Sequence, residues 1–235
     1  MNTTQHISHQ FNAEMQALRN HVMSMGGLVE QQILSAVEAL QSMDAAAGEK
    51  VIRADHTVNA LEVSIDEECA RILARRQPAA SDLRMVVAVI KTITDLERIG
   101  DEAEKIARMA VHMSEQDGRY HSRYAGVQHL AKHVSIMVHE ALDAFARLDV
   151  DASLKVLKDD EFVDAEYQAF MREMITYMME DPRTISEVLD VVWAARALER
   201  IGDHAKNICE YVIYLVRGKD IRHIDINEVE KDIRS

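Results

Sequence analysis

Proline, glycine and cysteine are all scarce in this chain. It has 235 residues, with two prolines, eight glycines, two cysteines and only 5% aromatic residues. Few prolines and glycines leave few places where a helix must break. Few aromatics, beside abundant Ala, Leu, Met, Glu and Val, argue against sheet and for an all-α fold. The two cysteines, Cys69 and Cys209, lie one in each half, which excludes a disulfide scaffold. Two buried thiols in a reducing compartment are expected. Basic residues are also in deficit, 27 Lys and Arg against 40 Asp and Glu, a formal net charge of −13. Affinity for nucleic acid comes largely from Lys and Arg on phosphates, so no nucleic-acid partner is expected. The general surface field also disfavours anionic lipid. Long apolar runs are missing too: the strongest, Met85 to Ile90 and Tyr211 to Val216, fall far short of the roughly 20 residues that span a bilayer. The N-terminal residues have neither the basic start nor the apolar run of a secretory signal. A cytoplasmic protein is expected.

What is present is helical periodicity. The first segment, from about His6 to Met43, places Phe11, Met15, Leu18, Val22, Met25, Val29, Ile33, Val37 and Leu40 at steps of three and four. Asp44 opens a turn containing Gly48, and a second segment runs to about Arg75. Gln77 to Asp82 is a break, with Pro78 inside it and Ser81 as the N-cap of a third segment reaching Ser114. Polar residues from Gln116 to about His121 form the best boundary. The same order follows again. A fourth segment runs from Arg123 to Leu148, and a turn occupies Asp149 to Asp151. A fifth runs from Ala152 to Glu180, a second proline break follows at Asp181 to Thr184, and a sixth runs from Ile185 to Val216. Gly218 can cap the end, and a charged tail follows.

The chain is therefore a duplication. Asp44 aligns with Asp149 at a shift of 105, and Leu96 with Leu198 at a shift of 102, so three residues are missing near the second proline break. Short connections make successive helices antiparallel neighbours. The expected fold is all-α: two tandem, pseudo-symmetric, up-down-up three-helix bundles over residues 1–117 and 118–219, six long helices in all, with a tail over 220–235.

Leu96-Glu97-Arg98-Ile99-Gly100-Asp101 returns unchanged at Leu198-Glu199-Arg200-Ile201-Gly202-Asp203. In each copy a glutamate precedes an aspartate by four residues, so the two carboxylates share one helix face. The second helix of each half carries a matching pair, Asp55 with Asn59 and Asp160 with Asp164, and Glu62 lies a further turn along. If these helices pack antiparallel, the stripes converge. Oxygen clusters of this kind suit Mg²⁺, Ca²⁺ or Mn²⁺, and with histidine or water they also hold iron or zinc. His56 and His204 flank the acids. Arg98 and Arg200 are candidates to neutralise them instead, and a solvated acidic face is the plain alternative. Gly100 and Gly202 sit mid-helix, where glycine costs about 1 kcal/mol relative to alanine. Close approach of a neighbouring helix and room for a bound group are both open. Di-iron enzymes on helical bundles use Glu-x-x-His pairs, and no histidine here has a glutamate three residues before it. There is no phosphate-binding glycine loop, nucleophile elbow or Cys-x-x-Cys.

Two three-helix repeats, each with Leu-Glu-Arg-Ile-Gly-Asp in its third helix, resemble the PhoU family. The stretch Gln77-Pro78-Ala79-Ala80-Ser81-Asp82-Leu83-Arg84 and the run from Ala195 to His204 resemble it as well. The similarity covers about residues 7 to 217. It implies a non-enzymatic cytoplasmic adaptor that represses the phosphate-starvation response. Its implied partners are the ATPase of a phosphate ABC transporter and a phosphate-sensing histidine kinase, with the membrane reached only through them. It also implies a homodimer and metal ions held by Glu/Asp-x-x-x-Asp motifs. That motif falls on Glu97 with Asp101, Glu199 with Asp203, and Asp160 with Asp164. Asp55 with Asn59 departs from it, so a first-half site that binds a cation more weakly or holds fewer ions is expected. A metal-dependent enzyme acting on a phosphorylated substrate is the competing reading, although no base or phosphate clamp accompanies the acids.

Overall fold

A computed structural model describes residues 3–115 and 125–234 of the chain. Seven α-helices follow in order: α1 Thr3–Ser42, α2 Ala45–Arg76, α3 Ser81–Ser114, α4 Ala125–Arg147, α5 Val150–Glu180, α6 Ile185–Arg217 and α7 Ile226–Arg234. A 3₁₀ turn, Pro182–Thr184, precedes α6. No strand occurs among the described residues. Arg123, the expected start of the fourth helix, and the expected boundary from Gln116 to His121 lie outside the described residues.

The two corners between first and second helices show how the duplication is built. Met43 and Leu148 adopt φ of 50° and 54°, a left-handed conformation that costs a side-chain-bearing residue about 1–2 kcal/mol. Each precedes an aspartate that caps the next helix: Asp44 accepts from Ala47 N at 3.0 Å, Asp149 from Ala152 N at 2.9 Å. The turns are thus shorter than the sequence pattern implied. α5 begins at Val150, and Gly48 lies inside α2. A Cβ on Gly48 would come within 2.9 Å of the Ala107 carbonyl oxygen, so this glycine lets α2 approach α3.

The proline corners differ between repeats. Gln77 to Ala80 join α2 to α3 without helical structure, whereas between α5 and α6 Asp181 is followed by the 3₁₀ turn Pro182–Thr184, which leads directly into α6. Ser81 is not the N-cap of α3: Ala80 holds that position with no side-chain hydrogen bond, and Ser81 begins the helix. Gly218 closes α6 at φ 71°, as its sequence position predicts.

Helices α2, α3, α6 and α5 lie side by side in that order. α1 packs on α2 and α3, α4 packs on α5 and α6, and α1 touches α4. One continuous apolar core runs through all six, from Leu18 on α1 to Val212 on α6. α3 and α6 cross antiparallel in a register where Glu102 meets Arg200 and Asp95 meets Asn207. The numbers of each pair sum to 302, as do those of Gly100 and Gly202, so the repeats are related about the level of the two glycines. The tail also differs from expectation. It is charged, yet Ile221 and Val229 are buried, and Lys158 of α5 donates to Glu230 of α7 at 2.7 Å. Both cysteines are fully buried free thiols, as expected.

Candidate metal centre

The third helix of each repeat lays its acidic pair beside the second helix, as the spacing predicts. In the first repeat Asp55 is buried between α1, α2 and α3. Its Oδ2 accepts from Asn59 Nδ2 at 2.9 Å, and its Oδ1 from Gln32 Nε2 at 3.3 Å. Asp55, Asp101 and Glu104 each offer an oxygen within 4.8 Å of the others. Calcium–oxygen distances of about 2.3–2.6 Å put opposite ligands about 4.6–5.2 Å apart, so three such atoms can share one ion. Glu97 and Glu62 border this group. Burial pushes the Asp101 carboxyl above the usual range, and the charge of Asp55 adds to it. Burial does the same to Glu97, followed by the charges of Asp101 and Glu62, and to Glu62, followed by Asp66. The carboxylates therefore crowd one another at the cost of their ionised forms.

Two oxygens at this place, Gln32 Oε1 and Asn59 Oδ1, are buried with no hydrogen-bond partner. Gln32 is 5% exposed, so its orphaned oxygen is costly without a ligand. Gly100 completes the cradle: a Cβ there would sit 3.1 Å from Gln32 Oε1 and 3.3 Å from Asp55 Oδ1. The donors are all oxygen, a hard set that fits Mg²⁺, Mn²⁺, Ca²⁺ or ferric iron better than zinc. Asp55, Asn59, Glu97, Asp101, Gln32 and Glu104 are the residues that would hold the ion. An ion there would supply positive charge that offsets the crowded carboxylates.

The second repeat is built differently. Asp160, 2% exposed, accepts from Lys206 Nζ at 2.6 Å. Arg196 donates to Glu199. At the same shift of 102, Lys206 replaces Glu104 and Arg196 replaces Thr94; at 105, Met137 replaces Gln32 and Tyr167 replaces Glu62. Burial again raises Asp203, Asp164 and Glu199, with Asp160 and Asp164 adding to Asp203, Asp160 to Asp164, and Asp203 to Glu199. A Cβ on Gly202 would find only ordinary contacts, 3.5 Å to Val163 and 3.8 Å to Asp160.

The flanking residues behave otherwise than their spacing predicts. His204 turns to the seam between repeats, with Nδ1 2.7 Å from Asp95 of α3. His56 is exposed. Arg200 pairs with the buried Glu102 at 2.9 Å rather than with Glu199 and Asp203, because the antiparallel seam brings α3 beneath it. Arg98 alone keeps the expected partner, pairing with Glu97 at 3.6 Å. Sequence reasoning missed Gln32, which arrives from a different helix. It also missed Glu104 and Lys206, which lie three residues beyond each hexapeptide and share its face.

The described helices include none long and apolar enough to cross a membrane. The PhoU domain model matches residues 22–110 and 127–212. A phosphate-specific transport system accessory protein PhoU homolog of Pseudomonas aeruginosa is 53% identical over 232 residues, covering 99% of this chain and 96% of that one. The accessory protein PhoU of Escherichia coli is 47% identical over 231 residues, covering 98% and 95%. The crystal structure of PhoU from Pseudomonas aeruginosa superposes with a TM-score of 0.86 at 55% identity, over 89% of this chain and all of that one. The phosphate transport system regulatory protein PhoU from Streptococcus pneumoniae superposes at 0.82 with 30% identity, over 89% and 98%. With both repeats matched and near-complete coverage in each direction, the chain belongs to the PhoU family.

Proposed function

We propose that this chain is a regulatory accessory protein of phosphate uptake. It acts in the cytoplasm as a non-enzymatic adaptor between the ATPase of a phosphate ABC transporter and a phosphate-sensing histidine kinase, and keeps the starvation response off when phosphate is plentiful. The observation that carries this reading is near-full-length similarity to proteins named as accessory or regulatory components of phosphate transport. The proposed assembly is a homodimer, and light scattering on purified protein checks it. Asp55, Asn59, Glu97 and Asp101, with Gln32 and Glu104, would hold a hard cation in the first repeat, whose charge would offset the crowded carboxylates and tie α1, α2 and α3 together. The buried orphan oxygen of Gln32 supports that site beyond the acids themselves. The test is deletion of the gene in its own host. A reporter driven by a phosphate-starvation promoter should switch on in phosphate-rich medium and be silenced again by the wild-type chain. A reporter that stays off in the deletion strain contradicts the regulatory role. Co-purification with the transporter ATPase and the kinase tests the adaptor role.

A further inference from the structure

The two acidic centres descend from one ancestor, yet their central buried aspartates are satisfied by different kinds of donor. Asp55 takes hydrogen bonds from two neutral amides, Gln32 and Asn59. Asp160 takes one from the ammonium group of Lys206, at 2.6 Å. A lysine ammonium in direct contact with a carboxylate is a cation at neutral pH. The guanidinium of Arg196 holds Glu199 in the same centre. In the first repeat the equivalent positions are Glu104 and Thr94, and Glu104 adds a carboxylate where the second repeat has an amine. Arg98 and Arg108 sit at the edge of the first centre, each more than half exposed and paired outward with Glu97 and Glu104.

We infer that Lys206, with Arg196, is a built-in cation that replaces metal in the second repeat, so that this chain takes metal ions at its first repeat alone. This rests on the cation site proposed above for the first repeat, but its test is separable. An ammonium 2.6 Å from Asp160 occupies the place where a metal would bind that carboxylate, and its charge repels an arriving ion. The substitution of Gln32 by Met137 removes a further oxygen donor from the second centre. Its methyl lies 3.9 Å from where a Gly202 Cβ would be. The first centre is then an ion-dependent joint, and the second keeps its geometry whatever the ion supply.

The experiment counts Mn²⁺ bound per full-length chain by titration with electron paramagnetic resonance. Asp101→Asn should abolish or strongly reduce binding, and Asp203→Asn should leave it unchanged. Lys206→Glu, which copies the Glu104 side chain into the second centre, should raise the bound Mn²⁺, and adding Asp203→Asn to that variant should remove the gain. Loss of Mn²⁺ from the wild-type chain through Asp203→Asn overturns the inference, as does a Lys206→Glu variant with no gain. A wild-type chain that binds nothing while Lys206→Glu binds would refute the first-repeat site and leave the role of Lys206 standing. Thermal melting supplies a second measure if Lys206→Glu does not fold. In an Asp101→Asn background, Lys206→Gln should melt lower than its parent and regain the loss in Mn²⁺. A melting point indifferent to Mn²⁺ overturns the inference.

Discussion

The two mid-helix glycines make a matched pair of perturbations. Replacing either by alanine removes the same conformational cost, about 1 kcal/mol in a helix interior. The surroundings decide the rest. At Gly202 the added methyl meets Val163 at 3.5 Å and Asp160 at 3.8 Å, which are ordinary contacts. The propensity gain should survive, stabilising the protein by about 0.5–1 kcal/mol. For a chain of this size that is a rise of roughly 1–4 °C in melting temperature. At Gly100 the methyl would meet Gln32 Oε1 at 3.1 Å and Asp55 Oδ1 at 3.3 Å. Both residues are buried, and Gln32 Nε2 donates to Asp55 Oδ1, so moving the Gln32 amide sacrifices that bond. Losing a buried hydrogen bond to a charged group costs about 1.5–3 kcal/mol, which exceeds the propensity gain. Gly100→Ala should therefore lower the melting temperature and weaken Mn²⁺ binding, while Gly202→Ala raises the first and leaves the second alone. Calorimetry with and without Mn²⁺ reads both. Equal responses of the two variants would refute the assignment of the first repeat as the tighter, ligand-bearing cradle.

Asp44→Ala and Asp149→Ala each remove one cap hydrogen bond and should each cost about 1 kcal/mol in denaturant unfolding, since the corners are equivalent. The raised carboxyls of Glu62, Glu97 and Asp101 bind protons more tightly folded than unfolded. Their contribution is thus greatest below their ordinary values near 4 and is lost as pH rises through the raised ones. Without metal, the melting temperature of Glu97→Gln/Asp101→Asn should fall less with rising pH than that of the parent; parallel curves would contradict this. At the seam, Asp95 accepts from Asn207 at 3.0 Å and pairs with His204 at 2.7 Å. Asp95→Ala strands both and should destabilise by about 1–3 kcal/mol, measured by urea unfolding. Cys69 and Cys209 have no exposed surface, and burial pushes the Cys69 thiol up to about 12. Neither should react with a thiol reagent until the protein unfolds, which a stopped-flow colour assay would show.

Much of this arrangement was legible in the chain itself. The hexapeptides at 96–101 and 198–203 marked the duplication, and apolar spacing placed six helices within a few residues of their ends. Local signals worked where the physics is local, as at Gly218; Asp44 and Asp149, expected to open turns, instead cap the helices that follow them directly. They misled at Ser81, where the tight corner forces Ala80 into the cap position with no side chain to fill it. The difference between the centres was written at Glu104 and Lys206, but only a comparison of the repeats three residues past the shared motif exposes it. Gln32 carried no such sign, because its role arises from α1 packing over α2 and α3. Arg200 and His204 read as neighbours of the acids along the sequence. The antiparallel seam with α3 claims them for Glu102 and Asp95 instead.

Crystals grown with Mn²⁺ and measured at its absorption edge would show whether Asp55, Asp101 and Glu104 gather around a cation beneath Gly100. An anomalous peak is expected within coordination distance of those three carboxylates, with Gln32 Oε1 turned toward it, and none beside Lys206. A peak at Asp160 and Asp203 with the first centre empty, or no peak at either centre under saturating Mn²⁺, would contradict it.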